Sequence, residues 1–274
     1  MTAVLLALAS AAFFGATTVA IRAGLGGGNP ATAALATQLP AIAIAVVATL
    51  ARGQLGGLWP FVLAGLLSPG ASQTLFILSV REAGASRTSV AVGTAPLVSV
   101  AIALVFLHEP VRAPLLLGTA AIVAGGIALA SERDRPAHVR RFGLLYAGLA
   151  TIFFSVRDNL VRALHAHATP EAALLATLVG GVLVTAVVAR RAPSLPEIRR
   201  LAPAGTLFGI SYVCLFEAYF NGRVTVVSPL VATESLWGVG LAALVFRGGE
   251  GVGRRVVLGA LLVVAGGAVI GAVH

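Results

Sequence analysis

Four ionisable residues lie inside long apolar stretches of this chain. Arg157 and Asp158 are adjacent in one stretch, and Glu217 and Glu234 lie within two others. A charge at membrane depth costs about 2.5–3.5 kcal/mol on insertion scales, so such a residue normally faces a partner or an aqueous cavity. A buried arginine suits an anionic group, which it binds with two parallel hydrogen bonds if the group is a carboxylate or a phosphate. These four residues are therefore the first candidates for a binding site.

Three interpretations of Arg157 are open on the sequence. It binds an anionic ligand, or it only neutralises Glu217 or Glu234, or its helix ends early and the side chain snorkels to the membrane surface. Because adjacent helix positions point about 100° apart, we expect Arg157 and Asp158 to diverge, one towards a cavity and the other towards a neighbouring helix. Glu234 lies near the middle of its stretch. It is either a carboxyl that takes up a proton during function or a neutral acid hydrogen-bonded within the bundle.

Polar and aromatic residues at similar depth extend the candidate site. Gln38 and Gln73 carry amides inside apolar stretches. Tyr212 and Trp237 carry rings that suit stacking on an aromatic or cationic ligand, although such rings also pack in cores or against lipid. The predicted substrate-binding residues are Arg157, Asp158, Glu217, Glu234, Gln38, Gln73, Tyr212 and Trp237.

The composition places these residues in a membrane. The 274 residues are 58% hydrophobic and only 11% charged, and the mean hydropathy is +0.97, which is atypical of a soluble domain. The formal charge is +9, but the arginines lie between apolar stretches, so we expect no nucleic-acid partner. The single cysteine, Cys214, excludes an internal disulfide. A cleaved signal peptide is not expected, because the first apolar run lacks a basic flank.

Ten apolar runs of about 20 residues are bounded by Arg, Pro or Gly clusters. At a rise of 1.5 Å per residue, such a run crosses roughly 30 Å of hydrocarbon as a helix. The runs lack the alternation of barrel strands. The predicted fold is therefore an all-α integral membrane protein with ten transmembrane helices, at residues 3–22, 31–51, 58–80, 87–107, 114–131, 142–163, 171–189, 202–221, 225–246 and 255–273.

The chain repeats itself at a nearly constant offset, close to half its length. The Phe-Phe-Gly of residues 13–15 corresponds to Phe-Phe-Ser at 153–155, and Arg22 corresponds to Arg162. Two further matches are Leu-Val-Phe at 104–106 and 244–246, and Val-Ala-Gly-Gly at 123–126 and 264–267. Because five is odd, a second five-helix unit must be inverted relative to the first, which places a binding site near the midplane where the units meet. The predicted repeats are residues 1–131 and 142–273.

The arginines also predict an orientation in the cell membrane. Fourteen lie in the loops after odd-numbered runs and four in the other loops, whereas Arg157 lies inside a run. Short cytoplasmic loops carry the excess of positive residues. Both termini are therefore predicted to lie outside.

Several motifs, taken in order, resemble the EamA-type, ten-helix branch of the drug/metabolite transporter superfamily over essentially the whole chain. They are residues 14–22, residues 82–86 leading to 94–97, residues 107–110, and residues 234–237. The resemblance implies that the protein exports or takes up a small metabolite by alternating access between two halves. Two features depart from the family pattern. Ser235 stands where a proline is usual, and the family commonly keeps both termini in the cytoplasm.

The function predicted from these features is secondary transport of a small polar or amphipathic metabolite, driven by an ion gradient or by exchange. Arg157 favours an anionic or zwitterionic ligand such as an amino acid. The alternative is a membrane-embedded enzyme or a translocator acting on lipid-linked substrates, for which carboxylates or a metal set at one membrane face would be typical. We expect no enzyme activity, cofactor or metal. His165 and His167 have no further ligand at zinc spacing, and no phosphate-binding loop is present.

Regularly spaced glycines occur in the fifth and tenth runs. Gly118 and Gly125 form one pair, and Gly259 and Gly266 form the other. Glycines two turns apart share a helix face and allow close approach of another backbone. They predict either a packing contact within one chain or the interface of a homodimer.

Overall fold

The computed structural model of the protein describes residues 2–52, 56–108, 113–130, 141–246 and 253–271. The chain is helical throughout these residues, and no strand occurs among them. A π-helical segment, Leu66–Ala71, joins α3 to α4, and a 3-10 turn, His165–His167, precedes α9. The helices are α1 Thr2–Gly24, α2 Pro30–Arg52, α3 Trp59–Gly65, α4 Ser72–Ala83, α5 Ala85–Val92, α6 Ala95–Phe106, α7 Ala113–Ala130, α8 Arg141–Ala163, α9 Pro170–Ala189, α10 Leu195–Asn221, α11 Val224–Val231, α12 Glu234–Phe246 and α13 Arg254–Gly271.

Among the described residues, eight helical segments are long and apolar enough to cross a membrane. They are α1, α2, α3 with α4, α5 with α6, α8, α9, α10, and α11 with α12. Two more helices, α7 and α13, have 18 residues each. The all-helical, multi-pass membrane fold expected from the composition is therefore confirmed, and the count of ten spans stays a prediction.

Local sequence signals fix several helix starts. Asn29 accepts a hydrogen bond from the backbone N–H of Ala31 at the start of α2, at 2.9 Å. Ser194 and Glu197 form a reciprocal capping box at the start of α10. Each cap satisfies N–H groups that lack partners within the helix. α2 and α10 therefore each begin at a defined residue directly after a loop.

Two helix breaks occupy corresponding positions of the predicted repeats. The first, between α5 and α6, contains Gly93 and Thr94, and the second, between α11 and α12, contains Ala232 and Thr233. In each break the threonine hydroxyl donates to the carbonyl oxygen of the preceding turn, at 2.6 Å for Thr94 and 2.7 Å for Thr233. The same residue type thus stabilises the same interruption in both halves of the chain.

The packing of the helices crosses between the two predicted halves. The first helix of each half packs on the third and fourth spans of the other half, α1 on α10 and α12, and α8 on α4 and α6. The remaining cross-half pairs include α2 with α9, α5 with α12 and α7 with α13. The core of the protein is therefore built jointly by both halves.

The four glycines of α7 and α13 meet each other within one chain. A Cβ on Gly125 would lie 2.7 Å from the carbonyl oxygen of Gly259, and a Cβ on Gly266 would overlap the carbonyl oxygen of Gly118. Intramolecular packing, the first of the two alternatives for these glycines, is the arrangement in the structure. A homodimer stays a prediction, and its interface would have to use other surfaces of these helices.

The helix ends gather at two opposite faces. At the end called face A, Gly24 packs on the backbone of Arg200, and Gly143 packs on Ala83. At the other end, called face B, Gly222 packs on Ala3. The ends of α1 and α4 thus share face A with the starts of α8 and α10. Several arginines used for the orientation lie outside the described residues, namely Arg112, Arg133, Arg135, Arg140 and Arg247.

A buried charged cavity as candidate binding site

A small cavity lies in the middle of the bundle, where helices of both predicted halves meet. Its volume is about 40 Å³, enough for a few water molecules but far below the roughly 300–1,000 Å³ typical of ligand pockets. The cavity in this conformation is therefore too small to hold a metabolite. The cavity is lined by Ser10, Phe14, Val92, Ala95, Phe154, Arg157, Asp158, Ser211, Tyr212, Leu215, Val231 and Glu234.

Arg157 and Asp158 form a buried ion pair at this cavity. Arg157 Nε lies 2.7 Å from Asp158 Oδ1, and the two side chains are 3% and 9% exposed. The expectation that one of them faces a cavity and the other a neighbouring helix is met only in part, because both line the cavity and Asp158 also reaches Tyr219 on α10. The snorkelling interpretation is wrong, since α8 continues to Ala163. The partner of Arg157 is Asp158 rather than Glu217 or Glu234.

Aromatic rings enclose the guanidinium group of Arg157. Its Cζ atom lies 4.6 Å from the ring centroid of Tyr212, 5.8 Å from that of Phe216 and 6.0 Å from that of Phe154. Cation–π attraction of this kind is strongest where water is excluded. Nε of Arg157 is occupied by its close contact with Asp158, whereas Nη1 has no hydrogen-bond partner among the described residues. The arginine is thus held in place while Nη1 remains available to a ligand.

Tyr219 fixes the carboxylate of Asp158 from the side of α10. Its hydroxyl donates to Asp158 Oδ2 at 2.9 Å, while Oδ1 accepts no hydrogen bond from any described residue. A phenol that donates to a carboxylate forms a charge-assisted bond. Tyr219 therefore positions the counter-ion of Arg157, a role that the sequence did not indicate.

Glu234 enters the cavity from the second helix break. It is the first residue of α12 and only 4% exposed, at a helix terminus that favours negative charge. Ala95 follows Thr94 in the first break as Glu234 follows Thr233 in the second, and Val92 and Val231 each lie two residues before the threonine. The cavity is lined by Val92, Ala95, Val231 and Glu234. The two helix breaks thus contribute similar backbone segments to the cavity wall, but the ionisable side chains that line the cavity all belong to the second half.

Ser10 and Ser211 line the cavity and were missing from the predicted site. Their hydroxyl oxygens lie 3.1 Å apart, and Ser211 Oγ donates to the carbonyl oxygen of Ser10 at 2.9 Å. A lone serine in an alanine-rich helix carries no signal in one sequence. Phe14 and Phe154, whose ring centroids lie 6.0 Å apart, did have a signal, because both belong to the repeated Phe-Phe motif.

Gln38 and Gln73 belong to a second buried polar cluster, between α2, α4 and α9. Gln73 Nε2 donates to Thr37 Oγ1 at 3.2 Å, and Thr185 Oγ1 donates to Gln38 Oε1 at 3.4 Å. Both glutamines are fully buried. Neither lines the central cavity, so the structure does not bring them together with Arg157.

Glu217 and Trp237 also lie apart from the cavity. Glu217 is near the end of α10, where its Oε1 is 4.0 Å from Nη1 of Arg52, and the same Nη1 is 4.0 Å from Glu171. Trp237 is 49% exposed. Of the eight predicted residues, the cavity therefore unites Arg157, Asp158, Tyr212 and Glu234. No group of three or more His, Cys, Asp or Glu residues able to hold a metal occurs in the described part of the chain.

Comparison with known proteins assigns the chain to a family. A family model described as "EamA-like transporter family" matches residues 1–131 and again residues 141–272. The chain belongs to the EamA-like transporter family. The resemblance to the drug/metabolite transporter superfamily is thereby confirmed, and the EamA family consists of membrane transporters of small molecules.

One solved structure matches this EamA-family chain over almost its whole length. It is titled only "Crystal structure of protein", with a TM-score of 0.73 and 18% sequence identity, over 97% of this chain and 95% of that chain. At this identity the likeness shows the fold alone. No curated protein matches the sequence.

Proposed function

We propose that this EamA-family chain is a secondary transporter that moves a small polar or amphipathic metabolite across the cytoplasmic membrane by alternating access. The observation that carries the proposal is the state of Arg157. It is a buried arginine at a small cavity, and no described residue accepts a hydrogen bond from its Nη1. An unsatisfied buried donor is costly, and a transported anionic group that enters the cavity would satisfy it.

Two inverted five-helix halves would supply the movement. Three features support this part of the proposal: the matching helix breaks at Thr94 and Thr233, the packing of the first helix of each half on the other half, and the ends of α1 and α8 at opposite faces. With α7 and α13 counted, the helical segments number ten. Broken helices at corresponding positions of inverted repeats are typical of transporter sites.

The ligand that suits the cavity has an anionic group and is small. A carboxylate would bind Arg157 with two parallel hydrogen bonds, and Glu234 would pair with an ammonium group on the same molecule. A zwitterion such as an amino acid meets both requirements. Because the cavity holds only about 40 Å³, the ligand must enter through an opening of one face, with the two helix breaks as the points of movement.

A lipid-linked substrate is the second candidate, and one observation favours it. An apolar groove of about 470 Å³ runs between α2 and α10, on the surface that would face lipid. A groove of this kind suits an acyl chain, as a translocator would require. It is lined by Ala43, Ile44, Val47, Ala48, Ile210, Val213 and Cys214.

The orientation with both termini outside is also part of the proposal. It follows from the fourteen arginines assigned to loops after odd-numbered runs, against four assigned to the other loops. It would place face A in the cytoplasm. Labelling of cysteines introduced at either terminus with a reagent that does not cross membranes tests it, and labelling only from the cytoplasmic side would reverse the assignment.

Counterflow in liposomes tests the transport proposal. The purified protein is first screened against small anionic and zwitterionic metabolites by thermal shift, and the stabilising compounds are then loaded into proteoliposomes. We expect accumulation of labelled compound by the wild type, loss in Arg157→Gln, and retention in Arg199→Gln, which removes an exposed arginine. Normal counterflow by Arg157→Gln would overturn the assigned role of Arg157. Movement of a fluorescent lipid without metabolite counterflow would favour the second candidate.

A further inference from the structure

The first helix of each predicted half ends in an arginine that reaches across to the third span of the same half. Arg22 Nη1 donates to the carbonyl oxygen of Arg81, at the end of α4, at 3.4 Å. Arg162 Nη1 donates to the carbonyl oxygens of Tyr219 and Phe220, at the end of α10, at 3.2 Å each. Arg22 and Arg162 are counterparts in the internal repeat. The same contact thus occurs twice, once in each half.

The acceptors in these contacts are groups that a helix leaves unsatisfied. The last carbonyls of a helix have no intrahelical partner and form the negative end of the helix dipole. An arginine that approaches them is attracted both by hydrogen bonding and by charge. Because α1 packs mainly on α10 and α12, and α8 mainly on α4 and α6, each arginine joins two helices of one half that otherwise pack on the other half.

The two contacts lie at opposite faces of the bundle. Arg22 lies at face A, beside the contact between Gly24 and Arg200. Arg162 lies at face B, together with the end of α10, next to the contact between Gly222 and Ala3. The cavity lies between these faces, and its volume is only about 40 Å³ while both contacts are formed.

The contact at face B is also connected directly to the cavity. Tyr219 accepts from Arg162 through its backbone oxygen, and its side-chain hydroxyl donates to Asp158 at 2.9 Å. Asp158 in turn pairs with Arg157. Movement of the end of α10 away from Arg162 would therefore shift the tyrosine that holds the counter-ion of the binding arginine.

We propose that Arg22 and Arg162 are paired gate latches, Arg22 closing the cavity towards face A and Arg162 closing it towards face B. Release of one latch at a time opens the cavity to one side. This inference rests on the proposed transport function, which it deepens by naming residues that control access. Both residues act by positioning helices and are not expected to contact the ligand.

Side-specific thiol labelling tests the latches. In a Cys214→Ala background, Val92→Cys places a single thiol in the cavity wall. Its reaction with a maleimide that does not cross membranes is followed in right-side-out and inside-out vesicles. We expect Arg22→Gln to accelerate labelling about tenfold from face A only, and Arg162→Gln to do so from face B only, as loss of a charged hydrogen bond predicts.

Matched controls are available at both faces. Arg199→Gln at face A and Arg223→Gln at face B each remove an exposed arginine, and labelling should match the parent in both. Arg22→Lys and Arg162→Lys keep the charge and a donor, so they should return labelling towards the parent rate. Size-exclusion profiles report folding. If a Gln variant does not fold, Arg22→Met or Arg162→Met, which also removes the charged donor, replaces it with the same expected side of faster labelling.

Three results would overturn the proposal that Arg22 and Arg162 are latches. They are faster labelling from the same side in both Gln variants, faster labelling from both sides at once, and unchanged labelling in both variants. Labelling requires no ligand, so the outcome is separate from the counterflow test. Side-specific labelling in a protein without counterflow would reject transport and keep the latches. Counterflow with unchanged labelling would reject the latches alone.

Discussion

Removing the charge of Asp158 should destabilise the protein strongly. In Asp158→Asn, the guanidinium of Arg157 stays buried without the carboxylate that it is paired with. At the 2.7 Å separation of Nε and Oδ1 and an effective dielectric constant of about 20, the gross attraction between the two charges is about 6 kcal/mol. Breaking a buried pair by removing one partner typically costs about 3–5 kcal/mol net. We therefore expect the free energy of unfolding of Asp158→Asn to fall by that amount.

The cost should come from the unpaired charge and not from lost packing. The double variant Arg157→Met, Asp158→Leu removes both charges and keeps apolar side chains against Tyr212. Because replacing a whole buried pair is often neutral or stabilising, it should unfold within about 2 kcal/mol of the wild type. Tyr219→Phe removes only the hydrogen bond to Asp158 and should cost about 1.5–3 kcal/mol.

Equilibrium unfolding in detergent, followed by circular dichroism, measures these differences. Glu217→Gln serves as the control, because Glu217 lies 4.0 Å from an Arg52 side chain that is 76% exposed, and pairs of that kind contribute about 0–1 kcal/mol. If Asp158→Asn unfolds like the wild type, or if the double variant is as unstable as the single one, the buried ion pair does not have the energetic role assigned to it.

Three further predictions follow from the geometry. Glu234→Gln should abolish counterflow while leaving membrane insertion and the free energy of unfolding near wild type, whereas the control Glu217→Gln should still transport. Full activity of Glu234→Gln in the liposome assay would remove this carboxyl from the mechanism. Gly266→Val should lower the free energy of unfolding by about 1–3 kcal/mol through overpacking against α7, because even a Cβ at this position overlaps a backbone oxygen. Gly240→Val is the control, since its position has open space, and it should change thermal unfolding far less. Glu197→Ala should cost about 0.5–2 kcal/mol by removing one side of the capping box, and an unchanged melting temperature would contradict this.

The fold could be predicted from the sequence because a helix that crosses a membrane is recognised by its apolar composition and its length. Apolar runs of membrane-spanning length, bounded by arginine, proline and glycine, correspond to the helical segments found, from α1 at Thr2–Gly24 to α13 at Arg254–Gly271. The internal repeat anticipated which helices would occupy related positions. The prolines Pro96, at the start of α6, and Pro229, within α11, mark the two interrupted spans, but the sequence does not show at which residue each break occurs.

The sequence predicted residues of the candidate site only where burying the side chain in an apolar helix costs free energy. Arg157, Asp158 and Glu234 stood out because charge is rare in apolar helices, and all three line one cavity. Ser10 and Ser211 did not stand out, because a hydroxyl can bond within any helix and is common there. Glu217 stood out for the same reason as Glu234, yet it lies at the membrane face near Arg52.

The sequence by itself determined that this chain crosses a membrane repeatedly, that its two halves are related, and which charges are costly to bury. Only the tertiary structure decided which of those charges share a cavity. Depth along a helix can be counted from the sequence, but the direction in which a side chain points, and the helix it meets, depend on how all the helices pack. Glu234 and Glu217 are both acidic residues in apolar runs, and their neighbours in the packed bundle separate a residue of the cavity wall from one at the surface.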